Sequence, residues 1–230
     1  MRKWEELPEF MKCDEVREYY DILSKKKISL KMKRAFDLIA GTCVLVVTAI
    51  PMFVISIKIA TESQGGVFYR QERITTYGKK FKIHKFRTMV ANADQIGSAV
   101  TVSGDNRITA TGAFLRKYRL DELPQVFDIL RGDMSFVGTR PEVTKYVEMY
   151  TNEMRATLLL PAGVTSEASI RYKDEADLLE NAENVDEVYV CKVLPQKMKY
   201  NLESIKNFNL MGELITIVRT IFAVLGKEYK

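Results

Sequence analysis

Two carboxylates stand side by side in the segment LDELPQ, residues 120–125, just before Pro124 and just after Arg116 and Arg119. Neighbouring side chains on a turn diverge, so Asp121 and Glu122 suit two tasks better than one shared proton. One useful division gives one carboxylate the attack on phosphorus and the other a hard cation. A carboxylate with an ordinary pKa near 4 is ionised at neutral pH and needs no base to act as a nucleophile. Its obstacle is repulsion by an anionic phosphate, which magnesium and arginine relieve. Arg131 and Arg140 follow the pair, Arg87 and Arg107 precede it, and Gly132 and Gly138 would let backbone approach a ligand closely. A plainer alternative stays open. Pro124 belongs in a first helical turn, so a helix starts near Asp121, and Asp121 could simply cap it. The same helix end is a natural seat for phosphate.

The rest of the composition narrows the chemistry. The chain has one histidine, His84, which excludes histidine-rich metal sites and is expected to pack. Cys13, Cys43 and Cys191 are far apart, which argues against a disulfide framework or a zinc site and for a reducing compartment. At 230 residues with net charge +5, the chain should form one domain, with an appendage, that favours an anionic partner.

The elements that must position the carboxylates begin with an apolar run. Leu38 to Ile57 is twenty residues without a charge, roughly 30 Å as a helix. It starts too far along to read as a signal peptide. Pro51 lies inside it and should break it into arms of about 20 and 10 Å, neither of which spans a bilayer. Residues 25–34 carry six basic and no acidic side chains, and the far flank, 58–85, is basic too. Two basic flanks place both ends on the cytoplasmic side. The segment is therefore expected to be re-entrant, bent at Pro51, with Thr48 near the freed carbonyls and Arg34 paired with Asp37. A spanning helix and a buried soluble helix remain as alternatives.

Residues 1–30 look accessory, with a short amphipathic helix at 14–24. VFYRQERI and KKFKIHKF alternate about TTYG and predict a β-hairpin. Residues 101–112 read as a loop, 113–119 and 124–130 as short helices, and 174–184 as an acidic, helix-permissive stretch. Two helical patterns follow Pro195. In the second, Leu214, Ile217, Val218, Ile221, Phe222 and Leu225 share one face, with Gly226 as a stop. That face is expected to pack in the core, with docking at a bilayer interface as the alternative.

The segments KRAFDLIAG, IPMFVISIKI, GGVFYRQERI, KFRTM, DNRITATGAFLRKYRLDELPQ, RGDMSFVGTRPE and PAGVT, in order over residues 31 to about 225, resemble the bacterial sugar transferase family. These are monotopic phosphoglycosyl transferases. The resemblance implies an α+β, mainly helical fold: a re-entrant membrane helix-break-helix (31–60, broken at Pro51), a small β-hairpin, and amphipathic interface helices around one catalytic domain (61–230), after a polar N-terminal extension (1–30). It implies transfer of a sugar-1-phosphate from a UDP-sugar to undecaprenyl phosphate, with UMP released, on the cytoplasmic face of the bacterial inner membrane. Asp121 would be the nucleophile and Glu122 the Mg2+ ligand. Arg116, Arg140, Lys85, Arg87, Asp105, Arg107 and Gln125 would meet the donor's phosphates or nucleotide. A homodimer is compatible with it; nucleic acid is not an expected partner.

The chain departs from the family pattern at Thr139, where proline is usual, and at Ile50, where serine precedes the membrane proline. It departs again in PAGVTSEASIRYKDE, where the sugar pocket is expected. A catalytically silent scaffold of the same family is the alternative function. The identity of the sugar is not written in these residues.

Overall fold

The computed structural model describes residues 1–93, 105–172 and 184–225. The expected features at 101–104, at 174–183 and at Gly226 lie outside the described residues. Helices dominate, as expected, with two small two-stranded sheets.

The hairpin forms where the alternation places it. β1 (Phe68–Ile74) and β2 (Lys80–Phe86) pair antiparallel, with Tyr69 opposite Lys85 and Gln71 opposite Ile83. The turn between them puts Tyr77 and Gly78 at positive φ, 59° and 76°. A Cβ on Gly78 would lie 2.7 Å from the Phe10 ring, so glycine is required there twice over. Period-2 geometry turns Phe81 and Ile83 into a core with Ile129, Met134 and Ala162.

The second sheet has no such signature. β3 (Met134–Val137) and β4 (Ala162–Thr165) run parallel, Ser135 beside Gly163 and Val137 beside Thr165. Just past β3 the backbones nearly touch. A Cβ on Gly163 would sit 2.2 Å from the Gly138 backbone. Gly138 therefore serves strand packing, and Gly132, at φ +88°, ends a helix in the left-handed conformation. Neither glycine was expected in those roles.

Helix α1 (Asp14–Ser24) is followed by α2 (Lys27–Glu62), one hydrogen-bonded helix of 36 residues that runs through Pro51, and later by α3 (Ala110–Lys117), α4 (Val126–Arg131), α5 (Thr144–Val147), α6 (Glu167–Arg171), α7 (Val185–Val188), α8 (Leu194–Lys206) and α9 (Leu210–Val224). Pro51 thus does not divide α2 into two elements. The Thr48 hydroxyl bonds back to Val44 O at 2.7 Å, one turn up the same helix. Among the described residues α2 is the one helix long and apolar enough to cross a membrane. It is not a buried core helix: Val46, Val47, Ile50, Phe53 and Val54 are exposed, Ile50 at 77%. Its opposite face lies along the globular body. Near one end Gly41 meets Leu130, and near the other Met52 and Ile59 pack on Phe86 and Leu115.

Polar side chains lash the start of this contact. Arg34 does not pair with Asp37. Its guanidinium donates to Ile129 O (2.6 Å) and Leu130 O (2.8 Å), at the electronegative end of the helix Val126–Arg131. Asp37 is buried and accepts from Ser135 Oγ (3.0 Å) and Phe136 N–H (3.2 Å). Lys33, also buried, reaches Val137 O (2.8 Å) and Glu213 (2.6 Å).

The N-terminal segment shares a core with the rest of the chain. Leu7, Met11, Val16, Tyr19 and Leu23 are buried against Ala156, Leu159, Leu202, Ile205 and Phe208. The last helix departs from the core-packing expectation. None of its described residues, Leu210–Val224, is fully buried, and Met211, Leu214, Ile215, Val218 and Ile221 are exposed. An apolar face at helical spacing has the same period whether it meets protein or lipid, and here protein does not cover it.

Replacing Asp37 with alanine strands a buried Ser135 hydroxyl and the Phe136 N–H, at about 1–3 kcal/mol. Asp37→Ala should therefore lower the thermal midpoint in detergent by several degrees. An unchanged midpoint would remove Asp37 from the docking of α2.

Candidate active site

Arg119 begins the site turn in the left-handed conformation, φ 55°, which a non-glycine residue adopts only when its surroundings impose it. The chain then makes a tight turn, Leu120–Gln125, and continues into α4 (Val126–Arg131). Pro124 sits in this first turn, as expected. Asp121, however, is not at the cap position, which Arg119 holds. It is 8% exposed, and its Oδ1 finds no hydrogen-bond partner among the described residues. An uncapped, unpartnered carboxylate oxygen in a buried position is costly unless a ligand uses it.

Glu122 is held quite differently. Lys85 Nζ lies 2.8 Å from its Oε1, and Arg140 Nη2 lies 2.6 Å from the same atom. Burial alone would raise the pKa of Glu122, but Arg140 and Lys85 outweigh it and hold the carboxyl well below the usual range. Arg140 is pushed up in turn, chiefly by Glu122. Lys85 is pushed down by burial, which Glu122 only partly offsets. Asp121 goes the other way from its neighbour. Burial raises it, the adjacent Glu122 charge adds to that, and Lys85, Arg119 and Arg116 oppose it. Two adjacent carboxylates thus have opposite environments, one neutralised by direct ion pairs and one left with an unpartnered oxygen.

Of the nine residues expected at the site, Asp121, Glu122, Lys85, Arg87, Arg107, Arg116, Gln125 and Arg140 line one cavity of about 870 Å³. Asp105 stands behind it. Its carboxylate takes a fork from Arg107, with Nε–Oδ1 at 2.9 Å and Nη2–Oδ2 at 2.6 Å, and so aims that guanidinium. The Arg116 Nε donates to Thr88 Oγ1 at 2.9 Å. Arg87 is spent on backbone: it donates to Ser63 O (2.8 Å) and to Gln64 O, at the C-terminus of α2. Gln125 is 1% exposed, and neither its amide oxygen nor its nitrogen has a partner among the described residues. His84 packs, as expected: its Nδ1 lies 2.6 Å from Asp128 Oδ1, both side chains buried, joining β2 to α4.

The cavity also takes in residues not expected at the site. Tyr69, Gln71 and Arg73 lie along β1 opposite Lys85, Ile83 and Phe81. The alternation of the hairpin already puts these three on one face, which was the available signal. Lys197, from the helix Leu194–Lys206, had none. Thr139 in place of proline keeps its carbonyl, which accepts from Gly163 N–H at 2.8 Å, so the turn before Arg140 is held by backbone.

Among the described residues there is no cluster of three or more acidic, histidine or cysteine side chains that could cage a metal. A Mg2+ site here would have to be built from Glu122 and Asp121 with water and phosphate oxygens. That is the donor set this ion prefers, since it keeps several waters and takes one or two carboxylates beside substrate phosphates.

The sequence profile described as bacterial sugar transferase matches residues 28–227, and the chain belongs to that family. It is 30% identical over 197 residues to a UDP-N-acetylgalactosamine-undecaprenyl-phosphate N-acetylgalactosaminephosphotransferase of Aeromonas hydrophila, covering 84% of this chain and 44% of that protein. It is 33% identical over 201 residues to the UDP-glucose:undecaprenyl-phosphate glucose-1-phosphate transferase of Klebsiella pneumoniae, covering 85% of this chain and 40% of that protein. Against the exopolysaccharide production protein ExoY of Rhizobium meliloti it is 31% identical over 208 residues, covering 84% of each chain. The chain thus spans under half the length of the first two relatives and most of the third.

The opposite environments of Asp121 and Glu122 predict opposite effects on stability in metal-free buffer at neutral pH. The raised pKa of Asp121 means its charge costs stability above the ordinary aspartate value, a cost absent below it. The lowered pKa of Glu122 means stability present above the ordinary glutamate value and lost as pH falls through the folded one. Asp121→Asn should raise the thermal midpoint. Glu122→Gln, which removes the carboxylate partner of two half-buried cations, should lower it by several degrees. Shifts of the same sign would contradict this account of the pair.

Proposed function

We propose that this protein transfers a sugar-1-phosphate from a UDP-sugar to undecaprenyl phosphate, releasing UMP, at the cytoplasmic face of a bacterial inner membrane. The observation that carries the reading is the split between the two carboxylates: Glu122 pinned by Lys85 and Arg140, Asp121 with an unpartnered oxygen beside them. The names of the relatives point to the same reaction class.

An Asp121 oxygen attacks the β-phosphorus of the donor. The bond from that phosphorus to the bridging oxygen breaks, and the oxygen leaves with UMP. The aspartyl phosphosugar is then attacked by a phosphate oxygen of the lipid acceptor. The bond from Asp121 to phosphorus breaks, the carboxylate is restored, and a lipid diphosphate sugar departs. Arg116, Arg107 and Arg140 offset the charge of the donor phosphates, and Lys85 keeps Glu122 ionised and oriented. Mg2+ bound at Glu122 would neutralise diphosphate charge and so lower the repulsion that Asp121 meets. Asp105 positions Arg107, and Arg87 joins the end of α2 to the site. Gln125 offers a neutral donor and acceptor to the donor's phosphate or nucleotide.

The membrane reading rests on α2. Asp37 and Ile59 are separated by about 33 Å of helix, yet both pack on the same globular body. A helix crossing a bilayer has its ends on opposite sides, with lipid around its middle. Contacts with one body near both ends, and an exposed apolar outer face, support a segment that enters and leaves on one side. The exposed apolar face of the last helix adds a second interfacial contact. The glycan made from the product follows from the sugar, which a panel of UDP-sugars identifies.

UMP release should require undecaprenyl phosphate for multiple turnover, stop with chelator and return with Mg2+. Asp121→Asn should reduce it by about a thousandfold or more. Full activity of Asp121→Asn, or turnover in chelator, would refute the mechanism.

A further inference from the structure

The cavity at Asp121 has two kinds of wall. Around the carboxylates it is cationic, with Lys85, Arg116 and Arg140. The lining also takes in apolar side chains, beside the hydroxyls of Thr165, Ser169 and Thr220. Ile129, Phe136 and Val164 contribute to it, the last two side by side because β3 and β4 are parallel in the register Ser135–Gly163 and Val137–Thr165. The same lining takes in Val44 of α2, and Ala223 and Val224 of the last helix, α9 (Leu210–Val224). These are the two helices whose outer apolar faces are exposed. The inner face of α9 is fixed to the body by polar contacts: Thr220 Oγ1 to Thr165 Oγ1 at 2.7 Å, and Arg219 to Glu167 at 2.8 Å. These contacts hold α9 against the body beside the cavity that Thr220, Ala223 and Val224 line.

We infer that this apolar limb, between Val44 and Ala223, receives the first units of the acceptor's hydrocarbon chain and so delivers its phosphate to Asp121. The inference rests on the transferase reading above and adds the place where the acceptor lies. In a UDP-sugar only the uracil ring and the C–H faces of the sugars offer apolar surface, and none of it is a hydrocarbon chain suited to aliphatic side chains such as Val44, Val164 and Val224. An isoprenyl phosphate matches both walls, its anionic head to the arginines and lysine and its chain to the limb. Moving the chain from bilayer to this limb exchanges one apolar environment for another, so little is lost in leaving the lipid. The phosphate meanwhile gains charge-assisted hydrogen bonds. One site can then serve a donor from water and an acceptor from lipid without either crossing the other's path.

Filling the limb tests this. In Ala223→Trp and Val44→Trp, labelling of the protein by a UDP-sugar carrying phosphorus-32 in its β-phosphate should keep its rate within about twofold. Discharge of that label to undecaprenyl phosphate should slow by roughly tenfold or more. Unchanged discharge in a folded variant overturns the inference, as does loss of donor labelling equal to loss of discharge. Should both variants fail to fold, judged by thermal melting, the wild-type chain is photolabelled with a diazirine-bearing farnesyl phosphate. Label on peptides containing Val44 or Val224 supports the limb, and label confined elsewhere overturns it. Failure of the wild-type chain to take up any donor label would instead strike the transferase reading, and the photolabelling result would still decide where an isoprenyl phosphate lies.

Discussion

One buried carboxylate organises this protein. Glu122 draws Lys85 from the hairpin and Arg140 from the turn after β3 onto a single oxygen, 2.8 and 2.6 Å away. Three charges partly withdrawn from water cost stability unless geometry is close and every partner is present. That demand ties three distant stretches of chain to one point. It also decides what Asp121 can do. With the nearest cations committed to Glu122, the neighbouring carboxylate keeps an oxygen free, in a place where its own charge is disfavoured.

A second set of polar contacts fixes where that chemistry happens. Lys33, Arg34 and Asp37 stand on α2 just before its uncharged run, and each binds the body by its side chain. Arg34 grips the last carbonyls of α4, the helix that continues the Asp121 turn, and Gly41 brings α2 close to Leu130. From the other end, Arg87 of the KFRTM segment caps the C-terminus of α2. The apolar helix is thus part of the frame of the site.

Much of this was legible in the residues, and the gaps have physical reasons. The hairpin announced itself by alternation about a turn, and the carboxylate pair by its arginines. Arg140 was one of the arginines near the pair, but Lys85 came from the resemblance alone, because no local pattern tells which distant cation will reach a given carboxylate. β3 and β4 escaped because four-residue strands joined across 24 residues carry no period. Arg34 and Asp37, three apart on a helix, looked like a local pair, but backbone N–H and C=O groups at the body outcompeted it. The last helix was expected to pack in the core because spacing cannot distinguish a protein-facing stripe from a lipid-facing one. Pro51 was expected to divide α2, yet the helical hydrogen bonding continues on either side of it. Leu7 and Met11 lie in short irregular turns, where buried positions leave no repeat to read.

The central claim is that Asp121, and not Glu122, takes the phosphosugar. Protein incubated with donor alone, quenched in acid, digested and mapped by mass spectrometry should carry one phosphosugar adduct on the peptide around 120–131, with fragmentation placing it at Asp121. An adduct on Glu122, or an unmodified peptide at a time when a stoichiometric burst of UMP has already appeared, would contradict the account.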